Sequence, residues 1–348
     1  MKRLFKVLAY ILLSIVVLIG IGLAYVFISA HNQSKANLAQ LGPEAKTLQQ
    51  DGFSFRDLNK NGRLDVYEDS RQPVDSRAAD LLAQMTLEEK AGTMFINIIK
   101  TSSDGALAES PEFGNLFSFV LPANSDLVVQ KKMNHFNLLT TPGTRALAQW
   151  QNNLQKMAER TRLGIPVTIA TDPRSHFTTN EFASLFAGDF SLWPEPLGLA
   201  AIGDSALVRT FGDIIRQEYR AVGIHLALHP MADLATEPRW PRINGTFGED
   251  AQLSARMTYA YIKGFQGDSL SAGSVACMTK HFSGGGPQKE GLDPHFQFQK
   301  GQVYPGNNFN YHLIPFEAAF AAGTAQIMPY YGVPMGQTSE NVGFSFNK

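Results

Sequence analysis

Asp172 closes the β-branched run Pro166–Thr171 (PVTIAT), so its carboxylate falls at a strand end and can accept hydrogen bonds from ligand hydroxyls. Lys280 and His281 are consecutive at the end of another strand-like run, Ser274–Lys280, and both can donate. Arg242 adds a planar fork of donors. Asp172 could instead cap a helix, and His281 could be a satisfied core histidine. Asp57–Glu68 (DLNKNGRLDVYE) fits the calcium-loop template D-x-N-x-N-G-x5-E at every fixed position. Asp57, Asn59, Asn61 and Asp65 supply side-chain oxygens, Gly62 permits the sharp turn, Arg63 offers its carbonyl and Glu68 closes the ring with two oxygens. The pattern points to a structural calcium ion; an Asn-Gly turn leading into a helix is the alternative.

Other polar residues read as structural. His225 and His229 lie four apart on a strand-like segment and imply no zinc site. Arg239 reads as a salt-bridge arginine, and Trp193 and Trp240 as packing residues. Arg174 and His176, just beyond Asp172, either rim a pocket or serve the fold. Gly284-Gly285-Gly286 follows a strand without the Lys-Ser/Thr or helix start that a phosphate loop needs.

The elements that must position these groups alternate along the chain. Helical spacing appears over Arg77–Gln84, Leu87–Thr93, Met133–Arg162, Ala206–Val222, Asp250–Gln266 and Ile314–Ala322. Strand-like runs appear at Met94–Ile99, Pro166–Thr171, Ile224–His229, Ser274–Lys280 and Ala325–Tyr330. Alternation predicts an α/β fold with parallel strands. Strand ends carrying Asp172, His229, Lys280–His281 and Tyr330–Tyr331 suit a (β/α)8 TIM-type barrel, whose ligands gather at the carboxyl ends. The absence of a glycine-rich turn after the first strand argues against dinucleotide binding. Hydrophobic residues are 44% and charged residues 18%, enough for a large core. Thirty Lys and Arg against 31 Asp and Glu leave no basic excess for nucleic acid.

The N-terminus is a separate matter. Lys2, Arg3 and Lys6 precede Val7–Ala30, 24 residues without a charge. As a helix that run covers about 36 Å, enough for a hydrocarbon core of about 30 Å. It exceeds the apolar stretch of a secretory signal, and Ile28-Ser29-Ala30 is a poor cleavage site. The expectation is an uncleaved single-pass anchor in the inner membrane with the bulk periplasmic, a cleaved signal being the alternative. No cysteine follows the run, which excludes a lipoprotein, and the single cysteine, Cys277, excludes an internal disulfide. His31–Gln50 reads as a polar tether or a short helix.

From about residue 53 onward, several motifs occur in order: Met85–Gly92 (MTLEEKAG), Arg162–Pro166 (RLGIP) leading to Thr171-Asp172, Glu237–Arg242 (EPRWPR) followed by Gly248-Glu249-Asp250, and Lys280-His281-Phe282. Together they resemble glycoside hydrolase family 3, with Glu237 and Pro241 where the family has Asp and Gly. The resemblance implies a barrel binding a terminal sugar through Asp172, Arg242, Lys280 and His281. It gives Tyr331 the place of the tyrosine before the nucleophile strand. It further implies retaining, cofactor-free release of terminal β-linked glucose from a β-glucoside or oligosaccharide. No Asp or Glu follows Glu340, so the nucleophile and the acid/base are expected beyond Lys348. The expectation is a barrel incomplete at its C-terminal end, part of a longer enzyme and inactive alone.

Two other activities fit the resemblance less closely. Asp293-Pro294-His295 lies on the loop after Lys-His-Phe, where N-acetylglucosaminidases of the family place an Asp-x-His acid/base. A non-catalytic sugar-binding remnant is the third possibility. The long loop Pro287–Asn308 is expected to shape the pocket rim. The organisation so read is residues 1–30 as anchor or signal, 31–75 as tether with the calcium loop, and 76–348 as the barrel domain, with the membrane met through residues 7–30.

Overall fold

The protein is seen in a computed structural model that describes residues 2–179 and 187–348. The chain divides into two compact units, residues 1–136 with 149–167, and residues 137–148 with 168–348.

The first unit opens with helix α1 (Lys2–Leu38). The helix does not stop at Ala30: His31–Leu38 contains neither Gly nor Pro, and the first breakers are Gly42 and Pro43. Of the two forms the sequence allows, tether or short helix, His31–Leu38 takes the helical one, and this end of α1 is docked. Ser34 and Asn37 are buried; Ser34 Oγ donates to Glu109 Oε2 (2.7 Å) and Asn37 Nδ2 to Ser125 Oγ (3.3 Å). A hairpin follows, β1 (Thr47–Gln50) against β2 (Phe53–Arg56). Its turn is Asp51-Gly52, at φ 51° and 77°, the positive values a two-residue hairpin turn requires. After the Asp57–Glu68 loop come α2 (Val74–Gln84), α3 (Leu87–Gly92) and β3 (Ile96–Ile99). Thr86 and Glu89 form a reciprocal capping box at the start of α3, and Arg162 pairs with Glu89.

The expected helical stretch Met133–Arg162 resolves into a short strand, β4 (His135–Leu138), and helix α4 (Thr144–Glu159). Pro142-Gly143 separates them, a breaker that the apolar spacing around Trp150 and Leu154 obscures.

In the second unit β5 (Thr168–Thr171), β6 (Ile224–Ala227), β7 (Ala276–Phe282) and β8 (Gln326–Pro329) pair in sequence order, all parallel. Helices α5 (Pro196–Ile202) and α6 (Ser205–Ala221) precede β6, α7 (Ala251–Gln266) precedes β7, and α8 (Ile314–Ala322) precedes β8. This is the strand–helix alternation that residue spacing predicts. Helices α6 and α7 cross closely at Gly212 and Gly264, where an added Cβ on Gly264 would stand 2.5 Å from the Arg209 carbonyl oxygen. Phe211, Tyr219, Tyr261 and Phe265 fill the space beneath, with Tyr261 stacked on Phe265 at 4.8 Å. Parallel strands bring their carboxyl ends to one edge, and the candidate site lies on the segments leaving those ends.

Candidate functional site

Asp172 follows directly on β5, and Lys280 lies near the end of β7. Lys280 Nζ donates to Asp172 Oδ1 at 2.6 Å, and Asn137 Nδ2, on β4, approaches Asp172 Oδ2 at 3.4 Å. The Lys280 side chain is 5% exposed and that of Asp172 20%. Burial would raise the Asp172 carboxyl, but the Lys280 ammonium more than offsets this and holds it below its ordinary value. The Asp172 carboxylate is ionised at neutral pH and is the outward member of the pair.

His281 sits beside Lys280 and is held from behind by Asp233, a residue that composition and motif do not single out. Beyond β6 the chain keeps pairing with β7, Lys280 N donating to Pro230 O (3.0 Å) and Ala232 N to Lys280 O (2.7 Å). This carries the fully buried Asp233 carboxylate under the exit of β7. It accepts from His281 Nδ1 (2.9 Å), His281 N (3.2 Å) and Gly285 N. On the other side of the ring, Arg242 Nη1 approaches His281 Nε2 at 3.3 Å. A guanidinium cannot accept, so Nε2 carries the lone pair and Nδ1 the proton. Burial, with help from the Arg242 and Lys280 charges and against the pull of Asp233, pushes the His281 pKa down to about 4. At neutral pH the imidazole is uncharged.

The two tyrosines that follow β8 differ in burial. Tyr330, fully buried, packs its ring 4.6 Å from that of His281. Tyr331, 51% exposed, stacks on Tyr330 and meets the His295 ring edge-on at 4.8 Å. Asp293 accepts from Trp240 Nε1 (2.7 Å) and, more loosely, from the Tyr330 hydroxyl (3.5 Å). Its other oxygen takes His295 Nδ1 (2.5 Å) and His295 N (2.9 Å). The carboxylate thus ties the Pro287–Asn308 loop to Trp240, which is fully buried and packs as expected.

The run Gly284–Gly286 is a packing device. A Cβ on Gly286 would lie 1.6 Å from the Leu234 carbonyl oxygen, and one on Gly285 would lie 2.8 Å from Asp233 Oδ1. Gln288 and Gln302 donate their side-chain amides to the Gly285 and Gly284 carbonyls.

Arg174 and His176 serve the fold. Arg174 is fully buried and donates to Thr171 Oγ1 (2.8 Å) and to the Leu138 (2.7 Å) and Leu139 (3.1 Å) carbonyls. His176 bonds Pro194 O (2.9 Å) and stacks on Phe211. His229 is held by the Tyr261 hydroxyl (2.6 Å) and reached by that of Tyr219 (3.4 Å). Arg239 pairs with Glu237, two positions away. A polar cavity of about 670 Å³ between α6 and α7 lies at the entry of β7, the end opposite Lys280, and its Arg209 and Arg216 are paired with Asp268 and Asp213.

In the first unit the Asp57–Glu68 loop closes on itself around its carboxylates. Asn61 N and Gly62 N donate to the two Asp57 oxygens (3.0 Å each), and Arg63 N to Asn61 Oδ1 (2.9 Å). Glu68 takes Leu58 N (2.6 Å) and Asp65 N (3.1 Å), and the Asn59 and Asn61 amides point at Asp65 Oδ2 (2.6 and 2.5 Å). Burial raises the Glu68 carboxyl. Among the described residues no three acidic, imidazole or thiol side chains are grouped tightly enough to hold a metal by themselves, so amide and carbonyl oxygens would have to complete any set.

A parallel α/β sheet with a paired carboxylate, an oriented imidazole and a guanidinium at its carboxyl edge is the arrangement of a TIM-barrel-like domain. Residues 112–334 match the glycosyl hydrolase family 3 N terminal domain, and the chain belongs to that family. Over 295 residues it is 50% identical to beta-glucosidase C of Emericella nidulans, covering 84% of this chain and 46% of that protein. Over 305 residues it is 46% identical to the periplasmic beta-glucosidase/beta-xylosidase of Dickeya chrysanthemi, covering 85% and 46%. The chain therefore spans about half the length of these relatives. The fold is similar to that of a solved β-glucosidase from Erythrobacter marinus, with a TM-score of 0.61 at 24% identity over 80% of this chain and 34% of that one.

Proposed function

We propose that residues 168–348 form the subsite for the terminal sugar of a β-glucosidase-type exo-hydrolase, one that releases β-linked glucose with retention. The observation that carries this is the Asp172–Lys280 pair beside the Asp233–His281–Arg242 chain. A carboxylate that stays ionised accepts from two sugar hydroxyls, while lysine and arginine donate to others, so a pyranose is gripped along one edge. Asp233 and Asp293 are occupied by protein donors, and the hydrolytic step is assigned to the whole protein. Its test is turnover of an aryl β-glucoside, with the anomer of the first-released glucose followed by NMR. Release of the α anomer first, or no turnover by the complete protein together with intact glucose binding, overturns the reading. The second outcome would favour a non-catalytic sugar-binding protein.

A second reading, N-acetylglucosaminidase, draws on the hydrogen-bonded Asp293–His295 pair, whose imidazole is 44% exposed. It requires that His295→Ala abolish turnover of an aryl N-acetylglucosaminide. Because the other Asp293 oxygen is spent on Trp240, the glucosidase reading is preferred.

Two structural assignments accompany this function. Helix α1 has the length and apolarity to cross a bilayer. We assign it as a single inner-membrane anchor with the bulk of the protein in the periplasm. The Asp57–Glu68 donors suit calcium, which Asp57, Asn59, Asn61, the Arg63 carbonyl, Asp65 and Glu68 would hold in a structural role.

A further inference from the structure

The apolar stretch Phe113–Leu121 of the first unit has no role in the sugar site. From Phe113 to Ser125 the chain carries no charge. Phe113, Leu116 and Val120 are 73%, 80% and 75% exposed, a grouping that needs a cover. An exposed apolar patch does not by itself say what covers it, but helix α1 does here. The Phe27 ring stacks on Phe113 at 5.3 Å and meets Phe119 edge-on at 6.2 Å, and Phe113 and Phe119 are 6.1 Å apart. With the hydrocarbon starting at Val7, a rise of 1.5 Å per residue reaches Phe27 after about 30 Å, the thickness of the core. Phe27, and with it the Phe113–Val120 segment, falls at the outer boundary. Tyr10 and Tyr25, exposed on the helix, fall near the two boundaries, where aromatic side chains favour the bilayer interface.

We propose that Phe113, Leu116 and Val120 insert into the outer leaflet of the membrane that α1 crosses. This rests on the anchor assignment. The unit then lies on the bilayer, held at that angle by Phe27 below and by the Ser34–Glu109 and Asn37–Ser125 hydrogen bonds above. A domain swinging on a free linker would have neither restraint.

The test uses the full chain reconstituted in phosphatidylcholine–phosphatidylglycerol vesicles. An environment-sensitive fluorophore is placed at Leu116→Cys or at Leu18→Cys in separate variants; Cys277 is buried and stays unlabelled. Quenchers sit at shallow or deep positions on the lipid chains. The proposal expects a blue shift and quenching at both sites, with the shallow quencher stronger at position 116 and the deep one at 18. Quenching at 18 with an unquenched, water-like label at 116 overturns the insertion and leaves the anchor standing. No quenching at 18 overturns the anchor and this proposal with it. A blue shift at 116 that ignores lipid quenchers and fades on dilution would mean that a second copy covers the patch, and also overturns it.

Discussion

Lys280 Nζ lies 2.6 Å from Asp172 Oδ1, although 108 residues separate the two along the chain. The pair joins the exits of β5 and β7 and divides the work: the lysine is the buried partner, and the carboxylate keeps a face toward solvent. A ligand hydroxyl would meet an acceptor already charged and already aimed.

Asp172→Asn is therefore expected to weaken glucose binding by the complete protein about ten- to a hundredfold, the worth of a hydrogen bond to a charged group at about 1.5–3 kcal/mol. It also strands the Lys280 ammonium, so the melting temperature falls. Calorimetric titration with glucose and a thermal melt check both. An unchanged dissociation constant would remove Asp172 from the subsite.

Asp233→Ala leaves two backbone N–H groups and the His281 ring without an acceptor. Each buried donor left unsatisfied costs about 1–3 kcal/mol, visible as a lower urea midpoint. Asp233→Asn keeps an acceptor and the volume, so it should fold. Its mark is local: nitrogen NMR of His281 should lose the pure Nδ1–H tautomer. If Asp233→Asn leaves that spectrum untouched, Asp233 does not position the ring.

Acid should unfold the protein earlier than its carboxylates alone require. The folded chain keeps His281 and His312 neutral, with pKa values near 4, whereas the unfolded chain protonates them near the ordinary 6.5. The unfolded state then binds more protons, so this stability is full above about pH 6.5 and is lost as the pH falls toward 4. For fully buried His281 the shift corresponds to about 3 kcal/mol. His281→Asn should flatten the pH dependence of the urea midpoint between 6.5 and 4. An unchanged slope would contradict the assignment.

Calcium at about a hundred times its dissociation constant should stabilise the chain by about 2.7 kcal/mol, read as a higher melting temperature than in chelator. Glu68→Gln and Asp57→Asn should each abolish that gain. Superimposable melts with and without calcium would show that the loop is held by its own amides.

Much of this was legible in residue order because it depends on local periodicity. The alternation that placed α6, β6, α7 and β7 is a property of consecutive side chains, and the helix Ile314–Ala322 has the bounds that spacing predicts. Family membership likewise rests on short contiguous motifs. Local signals also failed where two competed. Asp51-Gly52 is a strong hairpin turn, yet the polar composition around it reads as tether. Pro142-Gly143 divides β4 from α4 inside a stretch whose apolar spacing looks uniformly helical.

By itself, the sequence determined the parallel α/β plan, the apolar helix and the polar residues at the strand ends, since each follows from side-chain type at a fixed spacing. Only the tertiary structure decided which of those residues work together. Asp233 is an unremarkable acid in sequence and becomes the anchor of His281 because continued pairing beyond β6 slides it beneath β7. Arg174 lies two positions from Asp172 and turns inward, toward carbonyls at the end of β4 that no spacing rule connects to it. Tyr330 and Tyr331 are identical in type, and alternation along an extended chain sends one to the imidazole and the other to solvent. Burial, partner and orientation come from chain segments far apart in sequence, 48 residues for Asp233 and His281 and 36 for Arg174 and Leu138, and that information is not carried by any local run of residues.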